Sequence, residues 1–400
     1  MNRKPSVFML VVGYTSFLIL GAFDGQLGVA WPSMRNTFGL SLDAVGMLLI
    51  AGTVGFSLAS ILSGGLIARW GAGVFLLGAS LLGLTGTMGM ALSPKWWGAV
   101  IAYLLVGLGS GCIEVGMNTL MAVHCGAREM NWLHGFYGIG STVGPLIVTG
   151  LLGLGIVWRW GYGVIALMYL LLAAYFVLTL RRWQGIVTHS EGTGEGRSTS
   201  GWGILRLPVV WFGVVLFFTY TGVEATAGQW SFTLLTEGRA IPETTAGVWV
   251  SLLWGSFTIA RLVLGALANR MAPIHVVRVS LLGAILGAAL LWWNPTDAFS
   301  LLGLIVLGVS FASIYPGMMT LTPEFVGQKH AASAIGFQTG AAGLGAAGLP
   351  VLAGVLADGV GLEIIAPFML ASLVLTLVLQ EVTVAHGTRD QAAAVHASSN

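Results

Sequence analysis

Residues 109–120 read Gly-Ser-Gly-Cys-Ile-Glu-Val-Gly-Met-Asn-Thr-Leu, and 201 residues later 310–321 read Ser-Phe-Ala-Ser-Ile-Tyr-Pro-Gly-Met-Met-Thr-Leu. Gly116 meets Gly317, Met117 meets Met318, and Thr119-Leu120 meets Thr320-Leu321. The same offset aligns Gly64-Gly65-Leu66-Ile67-Ala68-Arg69 with Gly265-Ala266-Leu267-Ala268-Asn269-Arg270, and Gly135-Phe136 with Gly336-Phe337. Three separate segments at one offset mark a chain built from two parallel halves, with the site expected between them.

Composition sets the solvent. The chain has 400 residues, 56% hydrophobic and 8% charged, with mean hydropathy +0.88. A soluble domain carries about 25% charge, so this chain is solvated by lipid. At roughly 20 apolar residues per crossing, twelve helices fit: 7–34, 42–68, 74–93, 96–124, 131–157 and 161–182, then 207–236, 245–268, 275–293, 298–322, 330–356 and 362–380. The fold class is therefore an all-α membrane protein of twelve transmembrane helices in two pseudo-symmetric six-helix bundles. The bundles are 1–182 and 207–380. They are joined by a polar Gly/Ser/Thr linker, 183–206, and followed by a tail, 381–400, that reads as disordered. The 59 glycines suit helices that approach through small residues.

Twelve basic residues fall on the side of the N-terminus and linker and four (Arg35, Lys95, Arg159, Arg239) on the other. The positive-inside rule puts both termini and the linker in the cytoplasm, in a multi-pass protein of the cell inner membrane. Trp96, Trp97, Trp158, Trp160, Trp292 and Trp293 fall near outer span ends, as an aromatic belt would. Arg3 and Lys4 before an apolar run imitate a signal peptide. Asp24 within that run, and the spans after it, favour an uncleaved first helix.

A net charge of +2 gives no case for nucleic acid. Cys112 and Cys125 are about 20 Å apart on one helix, beyond disulfide reach, and no metal-ligand spacing occurs. No Walker loop is present, Gly107–Gly111 lies inside an apolar helix, and no Ser/His/Asp arrangement can be argued. The sequence thus points to neither an enzyme nor a bound cofactor.

Chemistry concentrates on three acids inside apolar spans: Asp24, Glu114 and Glu224. A carboxylate at the bilayer centre costs about 3 kcal/mol or more, so such groups face a cavity or a partner and mark a path. Glu114 and Asn118 sit one turn apart on one face of the fourth span, a pairing of acceptor and amide suited to hydroxyls. The seventh span carries Tyr220, Glu224, Gln229 and Trp230, where a ring could stack beside polar groups. Arg261 is the sole arginine or lysine in a span beyond those at the span ends, and is close enough to the inner end to snorkel. Tyr315 occupies the repeat position of Glu114, and Gln338 that of Tyr137. As a set these read as cavity-lining, with Gln26, Trp31 and His134 as weaker candidates.

These residues carry a resemblance. The whole chain resembles the major facilitator superfamily, with Gly64–Gly73 similar to its loop between helices 2 and 3, and 265–273 as a second copy. Ala68 departs from the pattern at a position where an acid often precedes the arginine. The fourth-span pattern GCIEVGMNTLM resembles the fucose/hexose–proton symporter branch. That resemblance implies a sugar-contacting, proton-exchanging role for Glu114 and a second proton site at Asp24, although Phe23 replaces a customary polar residue. It also implies substrate contacts from Glu114 and Asn118 on the fourth span and from Glu224 and Trp230 on the seventh, and gating by Arg69, Arg261 and Arg270. Gln229 on the seventh span, and Tyr137, Tyr315 and Gln338 at matched repeat positions, are expected as further substrate contacts from their placement alone. The expected protein is a monomeric, proton-coupled symporter of a monosaccharide or similar polyol. Proton-coupled export of a drug-like or amphipathic metabolite is the alternative.

Overall fold

The structure, a computed structural model, describes residues 7–125, 127–183, 204, 207–267 and 271–398. The linker apart from Trp183 and Ile204 lies outside these residues, as does Arg270. Among the described residues the chain is helical throughout: α1 Val7–Phe38, α2 Val45–Leu92, α3 Trp96–His124, α4 Ala127–Gly153, α5 Arg159–Thr179, α6 Pro208–Thr233, α7 Glu243–Leu267, α8 Pro273–Trp293, α9 Asp297–Val326, α10 Gln328–Val360 and α11 Ile365–Ser398. Eleven helical segments among the described residues are long and apolar enough to cross a membrane. One of them is two crossings. The 48 residues of α2 span about 72 Å at 1.5 Å each, twice a bilayer core. They break at Gly71, whose φ of 75° and ψ of 160° suit a residue without a Cβ. That break separates the second and third expected spans, so six crossings lie on each side of the linker.

The halves are built alike. α1 packs on α4, and α6 on α10. Lipid offers no hydrophobic drive for such contacts, so close van der Waals approach must supply it. Gly21 lies against the Tyr137 carbonyl and Gly144 against that of Ala22. In the second half Gly222 lies against Leu349, and Gly345 against the Phe218 carbonyl. Gly222 and Gly345 are each 201 residues beyond their mates, so the sequence repeat is a repeat of helix contacts. Across the halves α4 meets α7, and α2 meets α10.

The ends are stapled by the basic residues assigned to the outer side. Arg239, its side chain 6% exposed, binds both Glu363 oxygens at 2.9 and 2.7 Å, Ser300 Oγ and the Leu291 carbonyl. Arg159 donates to the Ala91 carbonyl at 3.0 Å and lies over the rings of Phe38 and Trp158. Trp97, Trp160, Trp292 and Trp293 face outward as a belt requires, whereas Trp158 turns inward to donate to Thr37 at 2.9 Å.

The expectation of a disordered tail from 381 is not met: α11 continues to Ser398. Glu381 accepts two hydrogen bonds at 2.6 Å from Arg278 of α8, which carries the helix past its apolar part. Beyond it Ala392-Ala393-Ala394 are the strongest helix formers.

Valine at Gly144 or Gly345 drives a branched side chain into a facing carbonyl. Each variant is expected to lose about 1–3 kcal/mol or more, seen as a lower melting temperature in detergent. Valine at Gly64, where a Cβ meets nothing within 4 Å, is expected to leave that temperature unchanged.

Candidate functional site

The two halves enclose a chamber of about 400 Å³ lined from α1, α2, α3, α4, α6, α7 and α10. Asp24, Glu114 and Glu224 all reach it. Asp24 is solvent-exposed, while Glu114 and Glu224 are half-buried. Tyr137, also in the lining, donates its hydroxyl to Asp24 Oδ2 at 2.8 Å, tying α4 to α1 at the carboxylate. Among the described residues no basic side chain is in the lining. Arg261 stands behind the wall within Coulomb reach of Glu224. Its Nε donates to the Ala312 carbonyl at 3.2 Å, and its guanidinium lies 4.2 Å from the Phe257 ring centre.

One end of the chamber is shut. Gly28, one turn beyond Asp24, lies directly on the backbone carbonyls of Gly228 and Gln229. Beyond that crossing Arg35 of α1 grips Glu237 after α6 through 3.0 and 2.8 Å hydrogen bonds. Gly46 of α2 packs on Val351 of α10, and the Leu42 N–H reaches Asp358 Oδ1 at 3.4 Å. This end is therefore closed both by backbone contact and by an ion pair.

Asp24, Glu114, Tyr137, Glu224 and Gln229 are thus gathered at one chamber, as the sequence suggested. Other candidates are placed elsewhere. Asn118 is outside the lining, and its buried Oδ1 has no partner among the described residues. Trp230 is fully buried, donates to the Pro350 carbonyl at 2.8 Å and packs on Gly354. It follows Gln229 by one residue, about 100° round the helix, and so faces helix packing. Tyr315 stands edge-on to Phe217 at 5.1 Å. Gln338 is buried, accepts from Thr322 at 2.9 Å and packs over Gly213. Pro316 follows Tyr315 inside α9, yet Tyr315 is outside the chamber lining. Arg69 is exposed two residues before the break at Gly71. Gln26 and Trp31 are fully buried, and His134 sets its ring against Phe17.

The lining also holds Thr53, Ser57, Ser110, Ser141, Thr221 and Trp254, which the sequence reading missed. Ser110 precedes Glu114 by one turn, and Thr221 precedes Glu224 by three residues, so helical spacing from the acids could have found both. Trp254 gave no such signal among the apolar residues of α7.

The Major Facilitator Superfamily model matches residues 10–348 and 241–394. The chain belongs to that family, and the fold is that of a transporter. Among its relatives, the 3-(3-hydroxy-phenyl)propionate transporter of Escherichia coli (strain K12) is 26% identical over 90% of each chain. The glucose/mannose transporter of Bacillus subtilis (strain 168) is 20% identical over 80% of each. The crystal structure of a nucleoside transporter, solved as a point mutant, superposes with TM-score 0.79 at 16% identity, covering 94% of this chain and 99% of that one.

Trp230→Phe removes the donor to Pro350 and opens space beside Gly354. The variant is expected to be less stable by about 1–3 kcal/mol, read as a lowered melting temperature, with ligand affinity retained. Unchanged melting with altered affinity would instead put the indole in the site.

Proposed function

We propose that this chain is a secondary active transporter that moves a small neutral polyol, most simply a monosaccharide, together with protons. The observation that carries the reading is the convergence of Asp24, Glu114 and Glu224 on one chamber, with no basic side chain among the described residues of its wall. An anionic ligand would meet three carboxylates there and no basic side chain in the described wall. A hydroxylated neutral ring offers the donors that carboxylates and the serine and threonine hydroxyls accept. The similarity to a glucose/mannose transporter supports the same class.

In this reading Glu114 holds sugar hydroxyls and exchanges a proton. Asp24, oriented by Tyr137, is the second proton site. Protonation removes the charge that would otherwise resist passage through a closed, low-dielectric chamber. Neutralised, the carrier can rock one bundle against the other; charged, it is held. The basic-residue bias supports cytoplasmic termini, so the shut end, with Arg35 and Glu237, faces outward.

The acidic wall also suits an organic cation, which keeps export of an amphipathic metabolite as the second reading. Uptake into proteoliposomes separates them. D-glucose, D-mannose and D-xylose are offered with and without an inward proton gradient, beside 3-phenylpropionate and tetraphenylphosphonium. The expected outcome is gradient-stimulated uptake of a neutral sugar and none of the carboxylate. Gradient-dependent movement of the cation alone would establish the second reading. Glu114→Gln is expected to cut gradient-driven accumulation at least about tenfold, the equivalent of 1.4 kcal/mol, while leaving measurable sugar exchange.

A further inference from the structure

Asp24 on α1, Glu114 on α3 and Glu224 on α6 offer the chamber oxygen acceptors. On α6 and α7 also stand Trp254 Nε1, Gln229 Nε2 and Thr221 Oγ1. Each is a buried atom on a lining residue, and none has a hydrogen-bond partner among the described residues. An indole N–H and an amide NH₂ can only donate. A donor left unmet out of water costs about 1–3 kcal/mol, and three at one wall are costly unless a further oxygen comes to meet them.

The local packing holds these donors together. The Trp254 ring lies over Gly228, with Cζ2 2.6 Å from where a Cβ on that glycine would stand, so any larger residue at 228 would displace the indole. Phe257 braces the ring edge-on at 5.6 Å. Gln229 follows Gly228 directly, and Thr221 lies seven residues before Gly228 on the same face of α6. The glycine therefore seats the indole beside the amide.

Taking the chamber as the substrate site proposed above, we infer that Trp254, Gln229 and Thr221 form a subsite that reads an acceptor oxygen of the ligand: a ring, ether or carbonyl oxygen of a neutral hydroxylated ring. The ligand is oriented by polarity, with hydroxyl hydrogens toward Asp24, Glu114 and Glu224 and a bare oxygen toward the indole. Gly28 of α1 covers Gly228 and Gln229 at this level. Opening of that crossing turns the donors toward a ligand entering from the shut side.

The test measures the affinity and exchange kinetics of the purified, full-length protein for the neutral sugar that gives the strongest uptake in the panel. Trp254→Phe keeps an aromatic ring and removes the N–H, Gln229→Leu removes the amide, and Thr221→Val removes the hydroxyl at constant shape. Trp249→Phe, on α7 outside the lining, controls for loss of a tryptophan. The expected result is a rise in KM of roughly tenfold for Trp254→Phe and for Gln229→Leu, the loss of one hydrogen bond each. Thr221→Val is expected to rise less, and maximal exchange and melting temperature should be close to wild type. An unchanged KM in the folded variants overturns the subsite while the transport reading stands. If one variant fails to fold, the other two decide. Failure of the folded wild type to bind any of the three sugars removes the sugar reading, and the subsite with it.

Discussion

Close approach of helix backbones through glycine is the constraint on which this structure rests. In hydrocarbon a leucine gains nothing by leaving lipid for another helix, so association depends on close packing. Gly21 and Gly144 bring α1 onto α4, Gly222 and Gly345 do the same for α6 and α10, and Gly28 lets the two halves touch. The last contact differs in kind, because it joins bundles instead of building one. It lies one helical turn from Asp24 and from Glu224, so the seam between the halves and the polar groups of the chamber share the same level of α1 and α6.

The repeat preserves the scaffold and changes the chemistry. Glycines keep their 201-residue spacing because each half must solve the same packing problem. Tyr137 and Gln338 keep it too, yet Tyr137 binds Asp24 in the chamber while Gln338 is bonded to Thr322 inside its own bundle. Glu114 faces the chamber, whereas its mate Tyr315 rests on Phe217. Duplication thus supplied two equivalent frames, and the chamber became polarised by what was substituted within them: acceptors from the first half, with Glu224 and the unmet donors from the second.

Lipid-class composition, the twelve crossings and the two-fold repeat were legible in the sequence, since hydropathy and spacing are one-dimensional signals. The three acids were legible because a carboxylate among apolar residues is expensive wherever it sits. Side-chain direction was much less so. Gln229 and Trp230 are neighbours in sequence with opposite fates, and one faces the chamber while the other bonds Pro350. Asn118 shares a helix face with Glu114 but lies beyond the lining, because the neighbouring helices decide where along that face the cavity ends. Trp254 was hidden for the converse reason: nothing in its apolar surroundings announces a cavity until Gly228 is placed beneath its ring. The tail was misread because a drop in hydropathy signals departure from the bilayer, not loss of helix; Arg278 and the alanines sustain α11 beyond it.

Arg35 and Glu237 join the two halves where both side chains are still partly wet, at 20% and 29% exposure. Dissolved ions reach such a pair and weaken it, with a screening length of about 8 Å at physiological ionic strength. The seam therefore has two fastenings of different character: a dry glycine contact indifferent to salt, and a wet latch that loosens as the medium grows more saline. A change in salt concentration therefore acts on the latch and leaves the glycine contact as it is.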